Sequence, residues 1–412
     1  MTTQIRYPKR RADNLYDDIW IPEESLDIRA EVRAFADKEL APVAHKINTT
    51  PESRESFPRQ IFEKMAEASL YKIPFSKEFG GRGLKYPILA TQIVEEELSY
   101  YSNSVAAALF DAPIALLGTA LRRFAAPHLQ DKYLSGVLSG ELIASFATSE
   151  PQASTDLSVD ALLTEATRVD GGYLVNGKKR WITNSCVADF MVFLCKIEGK
   201  LTMLLTEMDV DGISVSDPDK KMGNLAQLTS DVTFQDLFVP AENIVGKEGE
   251  GLKVALTALT EGRLAVGAMG LGLAQAAFDH AVEFMEKRKV FGKELARMQH
   301  WQYKFAEHAI SLESARTLCY KAAYSVDVSG RSDNPLSSMA KVQATRLSRE
   351  LANDAVQVCG ALGVVHELGG TGELRPVETI YRDCKFGELY EGTNEVLLSV
   401  IARSVFDRSM LD

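Results

Sequence analysis

The sequence lacks the patterns by which cysteine and histidine most often reveal a site. Its five cysteines include no C-x-x-C pair, and its six histidines show no H-E-x-x-H or similar spacing. Because an odd number of cysteines cannot all pair within one chain, their scatter fits a reduced protein in which each is a small core residue. We therefore expect no metal site and a cytoplasmic protein.

Positive charge and long apolar runs are also scarce. The formal net charge of −11 argues against a nucleic-acid surface and favours solubility. No uninterrupted apolar run reaches membrane-spanning length, so we predict no transmembrane helix and no membrane association. The basic residues near the N-terminus are followed by Asp13, Asp17 and Asp18, which fits neither a signal peptide nor a good transit peptide. We predict a mobile arm over residues 1–24.

The chain has the composition of an ordinary soluble protein of two or three domains. It has 412 residues, of which 46% are hydrophobic and 25% charged. Apolar residues recur with a helical period over 25–143, with a period nearer two over 144–250, and with a helical period again over 251–412. The sequence therefore predicts an α+β protein with an N-terminal helical domain, a middle β-domain and a C-terminal helical domain.

Turn residues predict where several of these elements end. Pro42 should interrupt the first helix, and Asn176-Gly177 should form a type I′ turn between two strands. Other features are predicted from the same periods and breaks. They are strands at 190–197, 201–207, 213–217 and 232–238, and C-terminal helices that reach 328, break at 330–335, resume to 360 and resume again after 393.

One acidic residue near the C-terminus stands in an unusual setting. Glu391 lies between Tyr390 and Gly392, just before an apolar run, which predicts a tight turn at a helix start. Gly392 permits φ > 0, and Thr393 or Asn394 can cap the helix. In an apolar pocket the pKa of the Glu391 carboxyl would rise and make it a usable general base. The alternative is a capping carboxylate favoured by the helix dipole.

Together with Tyr-Arg-Asp upstream, Tyr-Glu-Gly-Thr-Asn-Glu resembles the C-terminal signature of the acyl-CoA dehydrogenase family. These are flavoproteins that remove the α and β hydrogens of an acyl thioester. Ser-Glu-Pro at 149–151 together with Gly-Arg at 262–263 looks most like the short-chain members. The resemblance implies that Glu391 abstracts the α-proton, that Tyr390 and Gly392 contact substrate, and that Thr393 and Glu395 lie at the FAD. It also implies orthogonal or barrel-like sheets in the middle domain and a helical bundle in the C-terminal one.

Two segments of the middle region resemble the family's flavin-binding strands, T/S-E-P-x-A-G-S-D and W-I-T-N. Read from the residues alone, the first could be an ordinary polar loop, and the tryptophan of the second could be a core residue. The resemblance implies that Phe146, Thr148 and Ser149 contact the flavin ring, Thr155 the pyrophosphate and the substrate, and Trp181 with Thr183 the ring face and its reactive nitrogen. Gln152 and Ser154 replace the usual glycines, and their side chains narrow the room for a phosphate.

C-terminal segments resemble the family's R-x-x-F-G and Q-x-x-G-G-x-G motifs. The residues concerned are Arg288, Phe291, Gln299, Gln357, Gly360 and Ala361. In the family they reach the FAD of a neighbouring subunit, so the resemblance implies a homo-oligomer, usually a tetramer. From the residues alone, Arg288 could equally be a solvated cation at a helix end.

The resemblance implies FAD-dependent α,β-dehydrogenation of a short or branched acyl-CoA, with electron-transferring flavoprotein as acceptor, in fatty acid or amino acid catabolism. Some members place the base on an earlier helix, near Glu261, but the matching position here is Gly262. Glu261 should therefore point elsewhere. Thr260 and Arg263 are expected at the substrate.

Other functions stay open at this stage. Thr260 replaces an aspartate that usually helps to hold pantetheine, and the loop 223–229 lacks a common arginine. Either change could indicate a dehydrogenase or oxidase acting on a carrier-protein-bound acyl or aminoacyl group. An alternative of another class is a catalytically silent flavin-binding scaffold.

Overall fold

Helices, a β-sheet and helices again follow one another along the chain, which confirms the predicted order. The computed structural model describes residues 5–11, 20–407 and 410. Asp13, Asp17 and Asp18, on which the prediction of a mobile arm partly depended, lie outside the described residues. Within residues 5–11, Arg10 packs against the helical domain: it stacks 3.5 Å from the ring centroid of Tyr100 and forms an ion pair of 3.0 Å with Glu97.

The N-terminal helices include three π-helical segments. The elements are α1 (Glu23–Phe35), π segment Ala36–Leu40, α2 (Ala41–Thr49), α3 (Arg59–Glu67), α4 (Pro87–Ser99), α5 (Asn103–Val105), π segment Ala106–Gly118, α6 (Thr119–Phe124), α7 (Pro127–Leu129), π segment Gln130–Leu134 and α8 (Ser135–Ser139). The prediction that Pro42 breaks the first helix is wrong. Pro42 lies in the first turn of α2, where its missing N–H is tolerated, so the chain stays helical to Thr49.

Seven strands of the middle region form one curled sheet. They are β1 (Ala144–Ala147), β2 (Glu165–Val169), β3 (Gly172–Thr183), β4 (Phe190–Ile197), β5 (Lys200–Glu207), β6 (Ile213–Val215) and β7 (Thr229–Pro240). The order is β1-β4-β2-β3-β7-β6, with β5 paired to the other side of β4. Phe190 and Val192 of β4 join the core formed with the helices, while Met191 and Phe193 join a second core within the β-domain. Both faces of this central strand are therefore buried.

The predicted turn at Asn176-Gly177 is wrong. β3 runs through both residues and pairs with β7 on either side of them, with a shift in register there. Asn176 is held within the sheet because its Nδ2 donates to Asp236 Oδ1 (2.9 Å) and its Oδ1 accepts from the Asp236 N–H (2.9 Å). The turn between β2 and β3 falls earlier, at Asp170-Gly171, between the paired residues Val169 and Gly172. Gly171 has a φ of 78° there.

The C-terminal region is helical apart from a short hairpin. It consists of α9 (Gly251–Lys287), β8 (Lys289–Val290), β9 (Lys293–Glu294), α10 (Gln299–Ser329), α11 (Asn334–Cys359), α12 (Val377–Gly387) and α13 (Asn394–Val405). The predicted break near 330–335 is confirmed, whereas α12 was not predicted. α11 packs along α9, and α12 and α13 pack against α11.

Two helices of the described residues are long and apolar enough to cross a membrane by length and composition, although neither contains an uninterrupted apolar run of that length. They span Asn103–Phe124 and Gly251–Lys287, and 94% and 83% of their most apolar windows are buried inside the protein. Both are core helices of the fold, and both contribute to the site described next.

Candidate active site

Glu391 lies on a strained turn between α12 and α13. Its φ is 56°, a left-handed value that is uncommon for a residue other than glycine, and Gly392 follows with a φ of 93°. Helix α13 begins directly afterwards, and the Thr393 hydroxyl accepts a hydrogen bond from the Val396 N–H (3.4 Å). The expected tight turn, the positive φ of Gly392 and the cap by Thr393 are thus all present.

The Glu391 carboxylate is shielded from solvent, and neither of its oxygens accepts a hydrogen bond from a residue that the structure describes. It therefore does not cap α13, which removes the alternative reading of this residue. Burial raises the pKa of Glu391 to about 7, opposed by the positive charges of Arg263 and Lys341. A carboxyl that titrates near neutrality can act as a general base at physiological pH.

Two buried cations hold the backbone of this turn. Arg263 Nε of α9 donates to the Glu391 carbonyl oxygen (3.1 Å). Lys341 Nζ of α11 donates to the Gly392 carbonyl (2.9 Å) and to Asn394 Oδ1 (3.0 Å). Burial lowers the pKa of Lys341 to about 7, while the nearby Glu391 acts in the opposite direction. Sequence reasoning placed Arg263 at the substrate and missed Lys341; the structure places both cations on the backbone of the turn.

Gly262 leaves the space that the Glu391 side chain occupies. A Cβ built at Gly262 would lie 2.3 Å from Glu391 Oε2 and 2.6 Å from Leu116 Cδ2. A base carried at this position of α9 would therefore compete with Glu391 for the same space. Glu261 points away, as predicted: it accepts hydrogen bonds from the Thr119 hydroxyl (2.8 Å) and Arg122 (2.9 Å), and it also pairs with Arg123.

Two further buried acids lie near Glu391 and were missed by sequence reasoning. Glu95 of α4 is 0% exposed, and Asp111 of the π segment Ala106–Gly118 is 2% exposed. Burial raises the pKa of both carboxyls well above its usual range, and the negative charge of Glu391 raises it further. A signal for Asp111 was available in the sequence, since it is the lone charged residue in the apolar run from Ala106 to Gly118. For Glu95 the signal was an acidic residue within a helix that is rich in apolar residues.

Trp181 lies at the end of β3 with its indole uncovered. Its side chain is 53% exposed and its φ is 58°, at a second irregularity in the β3–β7 register. It is therefore not the core tryptophan of the alternative reading. An exposed aromatic face on a strained strand is the type of platform that a planar ring can stack on, so this edge fits the isoalloxazine of FAD.

A directed chain of side-chain hydrogen bonds ends at Thr183. Asn103 Nδ2 donates to Asn224 Oδ1 (2.9 Å), Asn224 Nδ2 donates to Gln227 Oε1 (3.1 Å), and Gln227 Nε2 donates to Thr183 Oγ1 (3.2 Å). The Asn224 N–H donates to Asp383 Oδ1 (2.7 Å), which ties the loop to α12. Because Thr183 accepts from Gln227, its own hydroxyl proton is left for a partner outside the chain.

The loop after β1 is fixed by a buried ion pair. Lys179 Nζ lies 2.8 Å from Glu150 Oε1, and both side chains are inaccessible. Gln152, which replaces a glycine of the family pattern, donates to Glu150 Oε2 (2.7 Å). The predicted flavin contacts on this segment differ in exposure: Phe146, Thr148 and Ser149 are half-buried, and Thr155 is exposed. The extra side chain of Gln152 is thus turned into the loop rather than toward a phosphate.

Most of the predicted C-terminal FAD residues share one cavity, far along the chain from the β-domain. It measures about 330 Å³ and is lined by Arg288, Gln357, Gly360 and Ala361, among others. Phe291 projects from the β8–β9 hairpin with 98% of its side chain exposed, and Gln299 is exposed at the start of α10. These residues lie on the surface, where a second copy of the chain could reach them.

The remaining predicted site residues differ in exposure and in their hydrogen bonds. The Tyr390 hydroxyl is buried and has no partner among the described residues, whereas Glu395 is exposed on the first turn of α13. Thr260 is buried, and its hydroxyl donates to the Leu256 carbonyl one turn earlier in α9 (2.7 Å). Thr260 therefore uses its only proton within its own helix.

Comparison with known proteins gives a consistent family. The acyl-CoA dehydrogenase N-terminal domain matches residues 22–141, the middle domain 145–237 and the C-terminal domain 249–406. The short-chain specific acyl-CoA dehydrogenase of Clostridium acetobutylicum is 34% identical over 394 residues, covering 94% of this chain and 100% of the relative.

Solved structures agree with the sequence matches. The butyryl-CoA dehydrogenase of Megasphaera elsdenii superposes with a TM-score of 0.85 at 30% identity, covering 93% of this chain and 98% of that one. The prolyl acyl carrier protein oxidase AnaB also gives a TM-score of 0.85, at 26% identity, covering 93% of this chain and 99% of that one. On these matches the chain belongs to the acyl-CoA dehydrogenase family, whose members are FAD-dependent oxidoreductases acting on CH–CH bonds.

Proposed function

We propose that this protein catalyses α,β-dehydrogenation of a short or branched acyl thioester, with Glu391 removing the α-proton. The observation that carries the proposal is the buried Glu391 carboxylate, whose oxygens have no hydrogen-bond partner among the described residues and whose pKa is raised to about 7. A carboxylate without hydrogen bonds to its charged form keeps its basicity for the proton it takes.

The residues around Glu391 orient it for this step. Arg263 and Lys341 fix the two backbone carbonyls that directly follow the Glu391 side chain, those of Glu391 and Gly392, which limits movement of the carboxylate with the turn. The left-handed φ of Glu391 also sets the direction of its own N–H, the donor that the family presents to the thioester carbonyl. Enclosure of the carboxylate by α9 and the π segment excludes water from the place where the enolate-like charge develops.

Bound FAD supplies the acceptor for the β-hydride. Phe146, Thr148, Ser149, Trp181 and Thr183 would hold its ring at the edge of the sheet. We further propose that the protein is a homo-oligomer, with a tetramer as the expected form, in which Arg288 and its neighbours in the C-terminal cavity bind the FAD of an adjacent subunit. Electron-transferring flavoprotein is the proposed acceptor, and the cytoplasm the proposed location.

The test is reduction of the bound FAD by an acyl thioester in the absence of oxygen, followed by its absorbance. We expect wild type and Glu350→Gln, an exposed carboxylate on α11, to bleach alike, and Glu391→Gln to bind FAD but not to bleach. Full bleaching by Glu391→Gln would show that another group is the base.

A carrier-protein thioester is the second candidate. The Thr260 hydroxyl is committed to the Leu256 carbonyl, so the usual pantetheine partner is missing at this position. The similarity to prolyl acyl carrier protein oxidase AnaB points the same way. The test compares the rate of FAD bleaching by the same acyl group on CoA and on a carrier protein. If the CoA ester reacts equally fast or faster, the carrier-protein substrate is excluded as the preferred one. Oxygen uptake during turnover separates an oxidase from a dehydrogenase.

A further inference from the structure

Three successive glutamates of α4 are buried, but only two of them are paired. Glu96 accepts hydrogen bonds from Arg316 Nε (2.9 Å) and the Tyr320 hydroxyl (2.7 Å), and Glu97 accepts from Arg33 Nη2 (2.9 Å). Glu95 is fully buried, and neither of its oxygens has a hydrogen-bond partner among the described residues. Its position in the helix is therefore not explained by an internal ion pair.

Unpartnered polar atoms continue around Glu95. Asp111 Oδ1, in the facing π segment, has no partner within the part of the chain that the structure describes. Gln92, one turn before Glu95 on α4, is 1% exposed, and both atoms of its side-chain amide lack partners there. The Tyr390 hydroxyl, next to Glu391, is in the same state. Carboxyl, amide and hydroxyl groups without hydrogen-bond partners among the described residues thus lie on α4, on the facing π segment and next to Glu391.

This arrangement is costly unless a ligand completes it. A buried polar group without a hydrogen bond typically costs about 1–3 kcal/mol, and a buried unpaired charge costs more. Pockets for purely hydrocarbon groups are lined mainly by apolar side chains. The cluster is not a metal site, since residues 5–11, 20–407 and 410 contain no group of three or more His, Cys, Asp or Glu that could hold a metal ion.

The acids lie beside the proposed reaction centre. Glu391 interacts electrostatically with both Glu95 and Asp111, and it is enclosed by Leu116 of the same π segment and Gly262 of α9. An acyl group whose α-carbon reaches Glu391 therefore has Glu95 and Asp111 as neighbours. What these two side chains offer is carboxyl oxygens, and because burial favours their neutral forms, a bound cation would supply the charge that lets them ionise.

We propose that Glu95 and Asp111 bind a protonated nitrogen on the acyl group, so that the preferred substrate is an amine-bearing acyl thioester. This inference rests on the proposed function and names its substrate class. The ammonium supplies the donors and the positive charge that the two carboxyls lack within the protein. Gln92 and the Tyr390 hydroxyl supply neutral hydrogen-bonding groups around them.

The test compares three five-membered-ring thioesters on one carrier, with the FAD-loaded wild-type enzyme. Cyclopentanecarbonyl, tetrahydrofuran-2-carbonyl and prolyl thioesters place CH₂, O and NH₂⁺ at the same ring position. A charge-assisted hydrogen bond typically changes binding by about tenfold or more, so we expect the prolyl thioester to exceed both others by at least about tenfold in kcat/KM for FAD reduction.

Neutral isosteres test the two acids directly. Glu95→Gln and Asp111→Asn should each reduce the ratio of the prolyl to the cyclopentanecarbonyl rate by about tenfold, and this ratio is the readout because either change can also alter the rate with every thioester. Glu97→Gln is the matched control, since this glutamate lies on the same helix and is also buried but faces Arg33. The wild-type preference needs no variant, so it tests the proposal even where a variant fails to fold.

The outcomes separate this inference from the proposed function. Equal rates with the prolyl and cyclopentanecarbonyl thioesters overturn the inference and leave the dehydrogenase function standing. Equal rates with the prolyl and tetrahydrofuran-2-carbonyl thioesters also overturn it, because polarity without charge would then suffice. If no thioester reduces the FAD of the loaded enzyme, the proposed function itself fails.

Discussion

Replacing Gly262 by alanine tests whether the Glu391 carboxylate works in the position that the structure gives it. The added methyl would lie 2.3 Å from Glu391 Oε2 and 2.6 Å from Leu116 Cδ2, whereas ordinary contact begins at 3.4 Å. The carboxylate must therefore retreat by about 1 Å. Since a displacement of this size at a reacting group can cost about a hundredfold in rate, we expect the rate constant for FAD reduction to fall about a hundredfold.

The fold should survive this change. Both clashing groups are the ends of flexible side chains, and alanine is favoured over glycine within a helix by about 0.5–1 kcal/mol. The assay is anaerobic stopped-flow reduction of bound FAD, with FAD occupancy and Tm measured on the same sample. Gly267→Ala is the matched control, because it makes the same change on α9 where the nearest atom is Cys319 Sγ at 3.3 Å.

The result that would refute the reasoning is a Gly262→Ala enzyme that holds FAD and reduces it within about threefold of the wild-type rate. The carboxylate would then not need the space above Gly262, and its observed position would not be the reactive one. A loss of FAD or a lower Tm in both alanine variants would instead show that α9 tolerates no added methyl.

Three further predictions concern charge and hydrogen bonding. FAD reduction by substrate should increase with pH through about 7, because Glu391 acts as the carboxylate and burial raises its pKa to that value; a flat profile over this range would contradict the assignment. Gln227→Leu should lower the reduction potential of bound FAD, because Thr183 loses the hydrogen bond that directs its hydroxyl proton outward. An unchanged potential in a spectroelectrochemical titration would show that the hydrogen-bond chain does not orient Thr183. Glu261→Gln should lower the free energy of unfolding by about 1.5–3 kcal/mol in denaturant titrations, because two arginines lose a charged acceptor. Unchanged stability together with a lost rate of FAD reduction would instead identify Glu261 as the base.

The order of the helical and β regions could be predicted because it depends on periodicity, which each segment carries within itself. Single turns could not, because tertiary contacts override local preference. Asn176-Gly177 has the composition of a hairpin turn, but Asn176 instead bonds across the sheet to Asp236. Pro42 has the composition of a helix end, but it lies where a helix start tolerates it. For Asn176 the deciding partner is on a distant strand, whereas for Pro42 the deciding factor is its exact position within the helix.

The candidate site was predictable only where residues are consecutive. Glu391 stands in a contiguous motif, so its turn and its cap could be derived from its neighbours. Glu95 and Asp111 come from distant parts of the chain, and nothing in either segment indicates that α4 and the π segment bring them to Glu391. Lys341 is similar, since a lysine in an amphipathic helix usually faces solvent, whereas this one is fully buried behind the turn.

The π segment that carries Asp111 allows the acyl-group selectivity of this protein to change by deletion as well as by substitution. A π-helix holds more residues in each turn than an α-helix, so the loss of one residue from Ala106–Gly118 would let it rewind. Each residue of an α-helix advances by about 100°, so the rewound helix would turn Asp111 relative to α4 by up to about that angle, roughly a quarter of a revolution. A single-codon deletion could therefore remove an acid from the pocket without any substitution, and relatives that differ here in length rather than in composition should differ in the acyl groups that they select.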